Sequence, residues 1–226
     1  MNSGFRWILS TVLLLAFSAG AVALPRKVQR EIPVSSLEKL QDILAMVRDK
    51  LWLTDDVFWH RGEYARCVAV LRLIASIDPR DTEAYANAAW LMENALMQSA
   101  DSAERVLLDG LASNRDVYDL YWELGFFYYI HARFEEAVAC LEKAVAFDVP
   151  EFVWHFLAHA YEHCGDIGSA LAIWFQQEAA EPDNPVPCIQ IERIISGRPA
   201  IVSPEMMRHI REQESLRSQT SSSTDG

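Results

Sequence analysis

A pattern of small and large apolar residues recurs about every 34 residues through the middle of this chain, and it constrains the fold more than any other feature. The clearest copy consists of Trp154, Leu157, Ala158, Tyr161, Gly165, Ala170, Trp174 and Pro182. The copy before it consists of Tyr121, Leu124, Gly125, Tyr128, Ala132, Ala137, Leu141 and Ala144. The sustained period-two alternation of a strand is missing from residues 35–195. We therefore predict an all-α protein with two helices in each repeat.

Two weaker copies precede these. The earlier one consists of Gly62, Tyr64, Cys67, Leu71, Ile74 and Pro79. The later one consists of Tyr85, Ala88, Ala89, Met92, Ala103, Leu107 and Gly110. It stays in register only if about two residues are inserted between its helices, near "MQSAD". The predicted repeats are residues 48–81, 82–117, 118–150 and 151–184.

The third and fourth copies, "YWELGFFYY…RFEEAVACLEKAV" and "WHFLAHAY…GDIGSALAIWF…P", resemble the tetratricopeptide repeat (TPR) family. The resemblance covers residues 48–184. It implies a right-handed superhelical solenoid of about four helix-turn-helix repeats, closed by a capping helix at each end. It also implies a protein that binds other proteins.

The flanks supply candidates for the caps. Ser35 and Glu38 form a capping-box pattern, and an apolar stripe follows, so residues 24–47 are predicted to be a linker and a helix that covers the first repeat. The stripe consists of Leu37, Leu40, Ile43, Leu44 and Val47. Residues 185–217 are predicted to be a second capping helix and an amphipathic segment. The polar, low-complexity residues 218–226 are predicted to be disordered.

The N-terminus has the layout of an export signal. Arg6 precedes an apolar run, and "AVA" at residues 21–23 is a cleavage pattern, so residues 1–23 are predicted to be a signal peptide. The run from Trp7 to Leu24 also approaches the length of a membrane span, and basic residues follow it. An uncleaved membrane anchor is therefore the alternative interpretation. Both interpretations place the repeats outside the cytoplasm, in the periplasm, secreted or tethered to a membrane, unless an anchor is inserted with its C-terminus inside.

Charge and cysteine content exclude several classes of protein. The formal net charge is −12, from 32 acidic and 20 basic residues, and this argues against nucleic acid as a partner. The spacing of the four cysteines, Cys67, Cys140, Cys164 and Cys188, is not that of a zinc site. The sequence allows a single disulfide bridge, such as one between Cys140 and Cys164. No nucleophile elbow, HExxH motif or phosphate-binding glycine loop occurs, so neither an enzyme nor a cofactor is expected.

The TPR resemblance also indicates which residues face the groove. In the family, the second, fifth, ninth, twelfth and thirteenth residues of each first helix line the concave side. Those positions here hold aromatic residues and histidines: Trp52, Trp59, Trp90, Trp122, Phe126, Tyr129, His155, His159 and His163. Acidic residues, among them Asp56, Glu93 and Glu162, share the face. The predicted ligand is a peptide or protein with apolar and basic groups.

The three histidines are spaced four residues apart, which is also the spacing of a chelating pair on a helix. Because His155 and His163 would lie about 12 Å apart along the axis, one helix cannot enclose a metal ion with all three. Lining of the groove is therefore favoured over metal binding. A pH response is a third option, since an imidazole ordinarily titrates near ~6.5.

Three functional hypotheses follow. The first is a non-catalytic interaction scaffold. The second is a protein that handles a divalent metal through His155, His159 and His163. The third is a structural subunit whose groove is filled by a second copy or by its own segment "RPAIVSPEMMRHI", residues 198–210, which is apolar and basic.

Overall fold

The computed structural model describes residues 35–96, 100–200 and 202–224, and of residues 205 and 217–224 it describes the backbone alone. These residues form ten helices and no strand. The helices are α1 (Ser36–His60), α2 (Tyr64–Ile77), α3 (Thr82–Asn94), α4 (Ala100–Ser113), α5 (Asp119–Ile130), α6 (Phe134–Ala144), α7 (Glu151–His163), α8 (Ile167–Ala180), α9 (Pro185–Ile195) and α10 (Pro204–Thr224). The predicted all-α class is confirmed.

From α1 to α9, each helix packs on the next one in the chain. In addition α3 packs on α5 and α5 on α7, whereas no comparable packing joins even-numbered helices within the described residues. The odd-numbered helices therefore line the inner, concave side of the solenoid, and the even-numbered helices form its outer side.

Small residues stand where helices approach closely. A Cβ atom on Gly125 of α5 would lie 2.7 Å from Leu141 Cγ of α6, and one on Gly110 of α4 would lie 2.6 Å from Tyr85 Cγ of α3. The turns after α1 and α7 use Gly62 and Gly165, whose φ angles are +69° and +81°. Ala132 holds the corresponding place after α5 with φ +57°, a conformation that costs a non-glycine residue about 1 kcal/mol.

The N-terminal cap was predicted wrongly. The capping box at Ser35 and Glu38 is present, but the helix that it starts runs without a break to His60 and is the first helix of the first repeat. The predicted apolar stripe of residues 37–47 consequently projects beyond the repeat, and its five side chains are 39–64 % exposed. The physical reason is in the sequence, because no glycine or proline separates Pro33 from Gly62.

At the other end α9 packs on α8 and buries Pro187, Ile191 and Arg193. The helix α10 then extends to Thr224, so residues 218–224 are helical where disorder was predicted. No glycine or proline occurs between Glu205 and Thr224, and nothing in the sequence therefore breaks that helix.

No disulfide joins any two of the four cysteines, all of which lie in the described residues, so the Cys140–Cys164 bridge is absent. Burial raises the pKa of Cys67 and of Cys140 to about 11, which keeps both thiols protonated. None of the described helices is long and apolar enough to cross a membrane. The predicted signal peptide or anchor lies outside the described residues.

Candidate binding groove

The candidate site is the inner face formed by α1, α3, α5 and α7. Its aromatic residues divide into two groups with different surroundings. We call the face of α1 and α3, together with the α5 side chains that border α3, the open half. We call the face of α5 and α7, with the segment that crosses it, the covered half.

Two tryptophans are the largest exposed side chains of the open half. Trp59 of α1 is 44 % exposed and Trp90 of α3 is 53 % exposed, and their ring centroids are 6.1 Å apart. Trp52 is half-buried, and its Nε1–H donates to Asp81 Oδ2 at 3.0 Å. Because Asp81 is also the N-cap of α3, through Ala84 N–H, this bond fixes the Trp52 ring to the next repeat.

A cleft of about 350 Å³ lies between α1 and α3, and we call it the α1–α3 cleft. Its polar lining consists of Asp55, Asp56 and Asn87, and its aromatic lining of Trp52 and Trp59. Asp55 is only 8 % exposed, and its Oδ1 has no hydrogen-bond partner among the described residues. Burial raises the pKa of this carboxyl, and the neighbouring Asp56 adds to the shift.

A second cleft, of about 200 Å³, lies between α3 and α5. Trp90, Glu93, Asn94, Glu123 and Phe126 are among its lining residues. Burial and the nearby Asp119 raise the pKa of Glu123. The two clefts meet at the Trp59–Trp90 pair, so the open half alternates tryptophan rings with carboxylates.

In the covered half the aromatic rings contact one another. Trp122 stacks on Phe126 at 5.4 Å and meets the edges of Phe152 and Phe156 at 4.8 and 5.2 Å, and Tyr129 lies 5.2 Å from Phe156. Sequence analysis missed Phe156, since the family spacing places the groove one residue earlier. Its position one helical turn after Phe152 is the signal that could have identified it.

The three histidines do not converge. His155 and His159 pack on the buried ring of Trp174 in α8, at 4.9 and 5.2 Å, whereas His163 stacks on Phe134 of α6 at 4.3 Å. The described residues contain no group of three or more side chains placed to hold a metal ion. The metal hypothesis is therefore not supported by the arrangement, because neighbouring helices draw the rings toward different partners.

Burial lowers the pKa of two of the three histidines, His159 and His163. Burial lowers the pKa of His159 to about 4, against the opposing effect of Glu162, and burial lowers the pKa of His163 as well. Both imidazoles are therefore neutral near pH 7, and these two side chains do not add positive charge to the groove near pH 6.5.

A buried ion pair closes the end of the covered half. Arg193 of α9 donates from both terminal nitrogens to the Glu162 carboxylate of α7, with distances of 2.7 and 2.5 Å. Burial acts to raise the pKa of Glu162, but the hydrogen bonds and charge of Arg193 outweigh it and the pKa is lowered. This carboxylate is therefore already neutralised and is not offered to a ligand.

The C-terminal segment crosses the covered half near the α5–α6 turn. Met206 of α10 is buried against Ala132 and Phe134. His209 donates from Nδ1 to the carbonyl oxygen of Ile130 at 2.8 Å, and its ring stacks on His131 at 4.9 Å. Within the described side chains the C-terminal segment therefore contacts residues 129–134 and not the exposed tryptophans, and a self-occluded groove stays a prediction.

Comparison with known proteins agrees with this architecture. No protein family model and no curated protein matches the sequence. A solved TPR protein of Thermus thermophilus, TTC0263, is 18 % identical, with a TM-score of 0.50 over 66 % of this chain and 81 % of that one. MamA is 14 % identical, with a TM-score of 0.52 over 73 % and 96 %.

A chain of the Naa15/Naa10 structure bound to HypK-THB is 13 % identical, with a TM-score of 0.53 over 78 % of this chain and 25 % of that one. At these identities the likeness concerns the fold. The protein is a helical solenoid of the TPR type, which confirms the predicted fold class.

Proposed function

We propose that this protein is a non-catalytic interaction scaffold whose open half binds a peptide or a protein segment with apolar and basic groups. The observation that carries the proposal is the exposed Trp59–Trp90 pair on the concave side, flanked by carboxylates. Exposed tryptophans on a rigid surface are typical of binding hot spots, and prestacked helices lose little entropy when they bind. Among the similarly folded structures, the Naa15/Naa10 assembly is bound to a protein, HypK-THB.

The test is selection of binders from a displayed library of random peptides against the full chain. The informative variants are Trp59→Ala and Trp90→Ala. The matched control is Phe175→Ala, because Phe175 is 49 % exposed but lies on the outer helix α8. We expect selected peptides to lose at least about tenfold in affinity with either groove variant, since hot-spot residues contribute about 2 kcal/mol or more.

The control variant should behave differently from the two groove variants. Phe175→Ala should leave the affinity of the selected peptides unchanged. If both tryptophan variants bind the peptides as the parent does, the open half is not the binding surface. If Phe175→Ala weakens binding as much as Trp90→Ala does, the outer face is involved and the proposal is wrong.

The contact of α10 with residues 129–134 favours a second candidate, a structural subunit with an occupied groove. Truncation after Arg198 tests it. If α10 blocks the ligand, the truncated chain gains affinity for the selected peptides. If the open half is the site, as we propose, their affinity stays the same because α10 does not reach Trp59 or Trp90 through its described side chains.

We further propose that the repeats act outside the cytoplasm, on the basis of the N-terminal sequence alone. Mass spectrometry of the chain from its host tests this. A mature chain that begins at Leu24 indicates cleavage, and an intact chain in the membrane fraction indicates an anchor. An intact chain in the soluble cytoplasmic fraction would contradict export.

A further inference from the structure

The α1–α3 cleft contains a buried carboxyl group that has no cationic partner among the described residues. Asp55 is 8 % exposed, one of its carboxylate oxygens lacks a hydrogen bond, and no lysine or arginine among the described residues forms an ion pair with it. A buried, uncompensated carboxylate costs free energy, and the chain retains it beside an open cleft. A ligand that supplies the missing positive charge would remove that cost.

The walls of the same cleft suit a flat cation. Trp52 is held in place by its hydrogen bond to Asp81. Trp59 lies about two helical turns further along α1 and lines the same cleft. Asp56 is more exposed than Asp55, and its carboxylate lies 3.4 Å from His60 Nδ1. Tryptophan faces attract cations, and guanidinium in particular stacks on them while its N–H groups bind carboxylates.

We propose that the α1–α3 cleft is a subsite for an arginine side chain of the ligand that the open half binds. The guanidinium donates to the Asp55 carboxylate and stacks on the Trp59 ring, and Asn87 also lines the cleft as a further polar group. The cleft volume of about 350 Å³ lies within the usual range of ligand pockets. This inference rests on the proposed function and specifies the ligand of that site.

Arginine suits the cleft better than lysine does. A lysine ammonium is compact and strongly hydrated, so half-buried aromatic walls replace little of its hydration. A guanidinium is more weakly hydrated and presents both a flat face and several donors. The adjoining Trp90 continues the surface beyond the cleft, so the ligand carries an apolar residue next to the arginine.

Two small probes test the subsite without any knowledge of the natural partner. N-acetylarginine amide and N-acetylcitrulline amide have nearly the same shape, but only the first carries a charge. Each is titrated into the full chain, and binding is followed by tryptophan fluorescence and by calorimetry. We expect the arginine probe to bind saturably and the citrulline probe to bind at least about tenfold more weakly, because a hydrogen-bonded charge is lost.

Variants locate the binding. Asp55→Asn and Trp59→Ala should each weaken the arginine probe at least about fivefold, because one removes the carboxylate charge and the other removes the stacking face. The control Asp42→Asn makes the same change in net charge at an exposed position of α1 outside the cleft, and it should bind as the parent does. Thermal unfolding of every variant verifies that it is folded.

Three results would overturn the inference. These are equal affinity for the arginine and citrulline probes, undiminished binding by folded Asp55→Asn, or an equal loss in Asp42→Asn, which would indicate a long-range charge effect. The proposed function fails separately. If selected peptides depend on Trp90 but contain no arginine, the groove function remains and the arginine subsite is wrong. If the arginine probe binds but no peptide is selected, the subsite remains and the proposed groove function is wrong.

Discussion

The two halves of the groove are built from the same repeat and differ in the partners that surround their tryptophans and their buried carboxyl groups. In the open half, Trp59 and Trp90 are exposed and stand near the buried carboxyl group of Asp55, which has no cationic partner among the described residues. In the covered half, Trp122 contacts three other aromatic rings, and the buried carboxylate of Glu162 is bound by Arg193. The contrast teaches that groove positions predicted from a repeat stay accessible to a ligand only where neighbouring helices do not pack against them.

The ion pair of the covered half should show the largest effect. Replacing Arg193 by Met leaves Glu162 buried without compensation, which should cost about 3–5 kcal/mol of unfolding free energy. The control is Arg80→Met, because Arg80 forms an exposed pair with Asp116, and the loss of a solvated pair should have little effect on stability. Urea unfolding measures both. Similar costs would mean that the pair in the covered half is solvated.

The tryptophans of the two halves should differ by a smaller amount. Trp122→Ala removes a ring packed among three others and should cost about 3 kcal/mol. Trp90→Ala removes a ring that is 53 % exposed and should cost within about 1 kcal/mol. Equal costs in urea unfolding would remove the structural distinction between the halves.

Acidification should destabilise the covered half through His159. Its folded pKa is lowered to about 4 by burial, so between that value and about 6.5 the unfolded chain binds a proton that the folded chain does not. Stability therefore falls as the pH falls through this range, by about 1–2 kcal/mol. Unfolding followed between pH 7 and pH 5 measures the effect.

The matched variants for this pH effect are His159→Gln and His60→Gln. The first should reduce the pH dependence, because one buried imidazole is gone, and the remainder comes from His163, whose pKa burial also lowers. The second changes an exposed histidine of α1 and should retain the slope of the parent. A slope in His159→Gln as steep as that of the parent would assign the pH dependence to other groups.

The smallest effect belongs to the open half and has the opposite sign. Burial raises the folded pKa of Asp55, so the stability that its protonated form provides is lost as the pH rises through that pKa. Asp55→Asn should accordingly stabilise the protein at pH 7 by about 1 kcal/mol, and this gain should disappear near pH 3. Asp42→Asn should show neither change. A destabilised Asp55→Asn would indicate that the carboxylate has a structural role.

The sequence was sufficient for the fold because its signals are local. The spacing of residues such as Gly125 and Leu141 reports helix contacts within one repeat, and Gly62 and Gly165 mark the turns. The exposed extension of α1 could also have been predicted, because no glycine or proline lies between Ser35 and Gly62 to end the helix earlier. The insertion in the second repeat corresponds to the longer connection between Asn94 and Ala100.

The site was less predictable because its properties come from other helices. Helical spacing places three histidines on one stripe, but Trp174 and Phe134, from different helices, decide where their rings go. Whether the Oδ1 atom of Asp55 finds a hydrogen-bond donor depends on the side chains of neighbouring helices. The contact of His209 with Ile130 joins residues that are 79 positions apart. No pattern within one repeat contains that information.

The docking of α10 gives the covered half an internal competitor. The connection between Ile195 and Pro204 is short, and a segment on such a tether faces its own site at an effective concentration of about 1 mM. A free ligand for the surface around Phe134 must therefore compete with α10, whose local concentration does not change on dilution. A ligand for the α1–α3 cleft has no such competitor among the described side chains. Two surfaces of equal intrinsic affinity would for this reason differ in occupancy at every ligand concentration below saturation.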